Sequence, residues 1–396
     1  MHLTYEHDYK AREDGRYPNM LAAYRAHLLE NKPLLEFNDS VTKESYYNWQ
    51  CRVKAKMKEL LCMPEKIKMR PPVLLGSKQR DGYRVEKWEF YPGNFSAVSF
   101  LLLIPSCATK EYPAPAAICL PGSRTSKEIL AGEEVPAHPN FQQKPYPDRN
   151  CQAKHLAKAG FVAAAFDNPC TCENSCITPV SEDHTVDQQR LKVCFSLLQY
   201  GFSYPGISAY EKLCFLDWFR ELPFVDSSKL AAVAHSLGTD TALPLAIICD
   251  DIKAYVHNDF VSDERRRFIA NTDHQQQDEC FPVTLFHIVP GSWKYFTYPD
   301  LLAALVPKHI AMNEGGAEEF TDKILRAYEM MGVPSHAQLT HYPKYANPES
   351  RQFHGDMPTH GLTDKQFLEY SYVDVPDHSF RAEPSLRLLK KAFALD

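Results

Sequence analysis

The chain has 396 residues, a 44% hydrophobic fraction and a formal net charge of −6 at pH 7. Such a length can bury a sizeable core, and the mild acidity argues against nucleic acid or an anionic membrane as partner. No apolar run reaches the roughly 18 residues that a membrane-spanning helix needs. Residues 1–6 lack the basic and apolar regions of a secretory signal. The 12 cysteines fall at irregular spacings, so a reducing, cytoplasmic compartment is the simpler expectation.

Residues 1–82 read as a helical extension packed on a main domain over 83–396. Met20, Leu21, Tyr24, Leu28 and Leu29 suit one amphipathic helix, which Pro33 terminates. Tyr46, Trp49, Val53, Met57, Leu60 and Leu61 suit a second, with Asp39, Ser40 or Thr42 as its cap. Lys54, Lys56, Lys58, Lys66 and Lys68 read as a solvated helix face and its exit.

From about residue 83 the period changes to that of strands. A hairpin is expected over 83–91 and 97–104, joined by Pro92-Gly93-Asn94. Strands follow at 115–120, 161–166, 229–235, 252–257, 309–312 and 338–342. Helices are expected at 153–159, ending on Gly160, at 209–222, from the residues after 236 to about 248, at 319–331 and at 384–393. Residues 260–306 read as irregular. Strands alternating with helices imply an α/β fold with a mostly parallel sheet covered on both faces. A leading antiparallel hairpin on such a sheet is the α/β-hydrolase pattern.

The segment Lys229-Leu230-Ala231-Ala232-Val233-Ala234-His235-Ser236-Leu237-Gly238 carries the chemistry. It reads as a buried strand that turns sharply at Ser236 and continues as a helix. Ala234 and Gly238 supply the small residues that a nucleophile elbow requires on either side of its serine, with Ala in place of the usual Gly. A serine hydroxyl needs an imidazole to take its proton and a carboxylate to orient that imidazole. On this fold the order is serine, acid, histidine. His378, directly ahead of the closing helix, fits the base better than His354 or His360 within the preceding loop. For the acid, Glu318 is favoured, after the turn Asn313-Glu314-Gly315-Gly316-Ala317; Glu319 and Asp259 are the alternatives. The oxyanion donors expected are the backbone N–H groups of Leu237 and of Ser123, since Pro121 has none. Arg124 in the same loop, with Trp293 and Tyr295, are the candidate substrate contacts.

Together, Ala234-His235-Ser236-Leu237-Gly238-Thr239-Asp240, Tyr255-Val256-His257-Asn258-Asp259-Phe260, Val289-Pro290-Gly291, Tyr298-Pro299-Asp300-Leu301 and Asp377-His378-Ser379-Phe380 resemble bacterial acetylxylan-esterase-like α/β-hydrolases, of the dienelactone-hydrolase and acetyl-esterase group. The resemblance covers roughly residues 85–396 and extends to the helical leader. It implies a serine esterase without cofactor or metal, acting on a small-molecule or carbohydrate ester. Ser236 would be the nucleophile, His378 the base and Glu318 the acid. Members of that group are often exported, which opposes the cysteine argument. A peptidase or lactonase on the same scaffold, and a non-catalytic carbohydrate-binding protein, are the alternatives.

Cys170, Cys172 and Cys176, with His184 nearby, lack the paired C-x₂₋₄-C elements of a structural zinc site, so a role in shaping the pocket is expected. Arg265-Arg266-Arg267 reads as a solvated charge run, with an anion clamp as the alternative.

Overall fold

The computed structural model describes residues 11–123, 125–135, 148–175, 186–273, 284–351, 357–358 and 362–395. Its centre is a nine-stranded sheet. The strands are β1 Val73–Arg80, β2 Tyr83–Phe90, β3 Val98–Pro105, β4 Ala114–Leu120, β5 Val162–Phe166, β6 Val225–His235, β7 Ile252–Asn258, β8 His309–Met312 and β9 Ala337–Leu339. They lie in the order β1-β2-β3-β5-β4-β6-β7-β8-β9. β1, β2 and β3 form an antiparallel meander, and β3 pairs antiparallel with β5. The neighbouring strands from β5 through β9 are parallel.

The helices are α1 Met20–Glu30, α2 Tyr46–Leu61, α3 Lys127–Ala131, α4 Gln152–Lys158, α5 Val186–Gln199, α6 Tyr204–Phe219, α7 Gly238–Ile248, α8 Glu264–Asp273, α9 Tyr298–Ala303, α10 Glu318–Met330, α11 Asp364–Tyr370 and α12 Ala382–Phe393. Side chains alternate across a strand, so a sheet covered on both faces needs apolar residues at every position. β4 shows this plainly: Ala116, Ile118 and Leu120 enter one core, whereas Ala117 and Cys119 enter the other. In β6, Ala232 and Ala234 face the first core, and Ala231 and Val233 the second.

The hairpin, the expected strands from 115 to 342 and the closing helix are present, with shifted ends. Elsewhere the structure departs from the sequence reading. The sheet begins at Val73, and the extra strand β1 is exposed along its whole length. α5 was not foreseen, nor were α8, α9 and α11 in stretches read as irregular or loop. α1 buries only Ala22 among its residues and leaves Met20, Leu21 and Tyr24 exposed. α2 buries Tyr46, Trp49, Val53, Met57 and Leu61, as its spacing requires. Its N-cap is Ser45, and Asp39 instead pairs with Arg326.

The early residues share the main core. Phe37 N–H donates to Asp300 Oδ1 at 2.9 Å, and Tyr46 OH donates to the Ala303 carbonyl at 2.6 Å. The arginine run is not a free solvated face: Arg266 pairs with Glu319 at 2.6 Å and Arg267 with Asp364 at 3.1 Å. Among the described residues, no helix is long and apolar enough to cross a membrane.

Candidate active site

The sheet order has a switch point. From β4 the chain crosses to β5 on one side, and later enters β6 on the other. In open α/β sheets the crevice beyond the carboxyl ends of such strands is where ligands bind. β4 leads into Pro121-Gly122-Ser123, and β6 leads into Ser236.

Ser236 has φ = 50°, the left-handed region that a non-glycine residue rarely adopts. Its N–H donates to the Asn258 carbonyl at 3.1 Å, and its carbonyl accepts from Thr239 N–H at 2.7 Å. The turn is tight because α7 begins against β4. A Cβ built on Gly238 would lie 2.6 Å from the Leu120 oxygen and 2.9 Å from the Pro121 oxygen. One on Gly122 would lie 3.0 Å from His235 Nδ1 and 3.5 Å from Ser236 Cβ. Ala234 is fully buried, in register with Leu120 and His257, so the methyl group that replaces the usual Gly hydrogen is accommodated.

The Pro121–Ser123 loop is held from behind. Asn168 Nδ2 donates to the Pro121 carbonyl at 2.9 Å and to the Gly122 carbonyl at 3.1 Å. Arg190 Nη2 donates to the Ser123 carbonyl at 2.7 Å. In a trans peptide the N–H points opposite to the preceding C=O. The Gly122 carbonyl turned toward Asn168 therefore directs the Ser123 N–H away from it.

His378 Nδ1 is 2.6 Å from Glu314 Oε2. Glu314 is fully buried and also accepts from Asn258 Nδ2 at 2.9 Å, Tyr342 OH at 2.5 Å and Ser379 N–H at 3.2 Å. Burial opposes its charge, yet His378, with His235 and Tyr342, holds the carboxyl below its ordinary range. Burial likewise opposes a charged His378, but the Glu314 carboxylate, helped by Asp259, lifts the imidazole above its ordinary value.

The carboxylate that meets His378 is thus Glu314 and not the expected Glu318. Glu318 starts α10, is partly exposed and pairs with Arg351 at 3.3 Å, while Glu319 pairs with Arg266. The reason is local: β8 ends at Met312, and Glu314 projects before the chain turns at Gly315 (φ 70°) and Gly316 (φ 157°). By Glu318 the backbone has left the sheet edge. Asp259 is the other carboxylate nearby. Burial pushes it up to about 7, with Glu314 adding to the push and His378 opposing it.

Ser236, Leu237, Ser123, Asp259 and His378 line one cavity of about 900 Å³. Trp293 lines it too. Tyr295 does not: its ring lies under Lys56 Nζ at 4.5 Å, and Tyr298 reaches the cavity instead. The side-chain direction changes through the helical turn Ser292–Lys294, which alternation along the sequence does not reveal. Arg124, Cys176, His184, His354 and His360 lie outside the described residues. Cys170 packs with Leu237, Tyr204 and Phe286, and so shapes the wall behind the elbow.

Among the described residues, His235, Glu314 and His378 are the group whose ligand atoms, all within 4.8 Å, come close enough to share a cation. In this arrangement Glu314 and His378 Nδ1 already bind one another. His235 was not singled out from the sequence; its ring centroid is 4.7 Å from that of His378.

Residues 4–391 match the Abhydrolase family. The chain belongs to that family. Its fold is shared with a Bacteroides fragilis NCTC 9343 protein provisionally named an acetyl xylan esterase: identity is 31%, TM-score 0.88, with 96% of this chain and 97% of that one covered. A methylesterase has the same fold at 14% identity and TM-score 0.50, covering 93% of this chain and 78% of its own. A glucuronoyl esterase from Solibacter usitatus aligns at 12% identity and TM-score 0.49, over 81% of this chain and 92% of its own. No curated protein matches the chain in sequence.

Proposed function

We propose that the chain is a serine carboxylic-ester hydrolase that removes short acyl groups, acetyl foremost, from a carbohydrate hydroxyl. The observation that carries this reading is that His378, bound to the buried Glu314, lines the same cavity as Ser236 at its strained turn. The 31% identical protein named for acetyl xylan ester cleavage supports the choice of acyl group and alcohol.

In this reading Ser236 Oγ attacks the ester carbonyl carbon while its proton passes to His378 Nε2. Glu314 holds Nδ1–H and offsets the charge of the imidazolium that forms. The oxyanion takes hydrogen bonds from the N–H groups of Leu237 and Ser123, with the positive end of α7 behind Leu237. Collapse breaks the bond to the alcohol, which leaves with the proton from Nε2. Water then loses a proton to His378, attacks the acyl-Ser236 carbonyl and releases the carboxylic acid.

Hydrolysis of p-nitrophenyl acetate and of acetylated xylo-oligosaccharides by wild type and Ser236→Ala tests it. The loss expected is on the order of 10⁶-fold in kcat. Equal rates in the two proteins would reject the serine mechanism.

A further inference from the structure

A second imidazole backed by a carboxylate stands in the same cavity. His287, in the short turn Leu285–His287, has Nδ1 2.5 Å from Asp240 Oδ2. Tyr298 OH donates to Asp240 Oδ1. Asp240 lies in the first turn of α7, where the helix dipole favours its charge. It lies four positions after Ser236, about one helical turn. Both carboxylate oxygens are therefore engaged, and His287 Nδ1 is fixed as a donor. In the neutral ring that leaves Nε2 as the acceptor. His287 keeps 31% of its side chain exposed, lines the cavity, and takes no hydrogen bond at Nε2 from the described residues.

Glu264 stands in the same part of the cavity. Its Oε1 accepts from Ser262 Oγ at 3.4 Å, while Oε2 is buried with no hydrogen-bond partner. Burial, with Asp263 and Asp240 close by, pushes this carboxyl well above its ordinary range. Phe286, Ile288, Val289 and Phe296 supply apolar wall, interspersed with Thr284, Ser292 and Thr297. A few convergent polar groups on an apolar wall fix the orientation of a ligand rather than merely admit it. The charge balance selects its type. Asp240 repels an anion, and the Arg267 guanidinium is already paired with Asp364.

We propose that His287, oriented by Asp240, is a specificity-determining residue whose Nε2 accepts a hydrogen bond from a free hydroxyl on the alcohol part of a neutral, polyhydroxylated ester. Glu264, through its unpartnered Oε2, is the second polar contact. The proposal rests on the serine-esterase reading and deepens it.

The test compares two acetyl esters: monoacetylated xylotriose, whose alcohol carries free hydroxyls, and p-nitrophenyl acetate, whose alcohol carries none. Wild type, His287→Phe and His287→Gln are assayed for kcat and KM on both, with thermal unfolding as the check on folding. His287→Phe is expected to lower the ratio of kcat/KM on the sugar ester to that on the aryl ester about tenfold, mostly through KM. His287→Gln, which keeps an acceptor, should recover part of that ratio. An unchanged ratio in both variants overturns the proposal, including the case in which both substrates lose equally. If Ser236→Ala hydrolyses p-nitrophenyl acetate as fast as wild type, the parent reading fails first, whatever His287 does.

Discussion

Asn258 and Glu314 are joined by a 2.9 Å hydrogen bond between the ends of adjacent strands. The same Asn258 amide also donates to the Ser379 carbonyl at 3.0 Å, and its oxygen accepts from Arg381 N–H at 2.8 Å. One side chain thus ties the carboxylate to the segment that carries His378. The orientation of the imidazole is set by both neighbours of that segment, and Glu314 has no freedom to follow a different partner.

Glu314→Gln should therefore be the costly carboxylate substitution. It keeps shape but offers Nδ1 of His378 no negative charge, and kcat should fall about 10⁴-fold. The sign of the pH effect follows from the raised imidazole. Only the neutral ring accepts the serine proton, so the rate climbs as pH rises through the His378 pKa. Removing Glu314's charge lowers that pKa, and the acid limb of the residual kcat/KM profile should move to lower pH. An unshifted limb would point to a different base.

Asp259→Asn should behave differently. Its carboxyl is raised to about 7 by burial, so the folded state pays for its ionisation as pH increases. An acid with a raised folded value loses stability from its unfolded range, near 4, up to its folded one. The variant should unfold at a higher temperature than wild type at pH 8, and the gap should close near pH 4. Activity should stay within about tenfold, because Glu314 still holds the imidazole. Thermal melts across pH with parallel assays measure both.

Gly238→Ala tests the elbow. The added methyl would meet backbone oxygens of Leu120 and Pro121, which cannot rotate aside. Overpacking of this kind costs about 1–3 kcal/mol, read by urea denaturation. Since the displaced atoms adjoin both Ser236 and the Ser123 loop, kcat should fall as well.

Asn168→Ala removes the side-chain hydrogen bonds to the Pro121 and Gly122 carbonyls and leaves Gly122 held only by Thr125 N–H at 3.2 Å. The Ser123 N–H would then be held less firmly in its direction. A fall in kcat of up to about 10²-fold is expected, the scale of a lost oxyanion donor, with KM little changed. A loss confined to KM would mean that the loop holds the substrate rather than the oxyanion.

The sequence made the parallel strands legible because they are apolar at nearly every position, as a doubly covered sheet demands. It made Ser236 legible through the small residues Ala234 and Gly238, and His378 through its place before the last helix. It misled at Glu318 because two carboxylates flank a pair of glycines. Which one projects from the strand end depends on where the backbone turns, and glycine φ values are not encoded in composition. β1 was missed because neither of its faces is covered, so Val73–Arg80 shows no alternation to detect. Asp240 and His287 are 47 positions apart, and neither carries a local signal of pairing.

The outermost strand β1 has consequences for handling the protein. It offers an open row of backbone donors and acceptors, with Val73, Leu74 and Leu75 bare to solvent. A rim of this kind invites another polypeptide to zip alongside. The shift of register between Leu74 and Gly76 and the cations Lys78 and Arg80 oppose such growth. At high concentration, precipitation would start along this border, and a lysine in place of Leu74 should raise solubility without touching the Ser236 cavity.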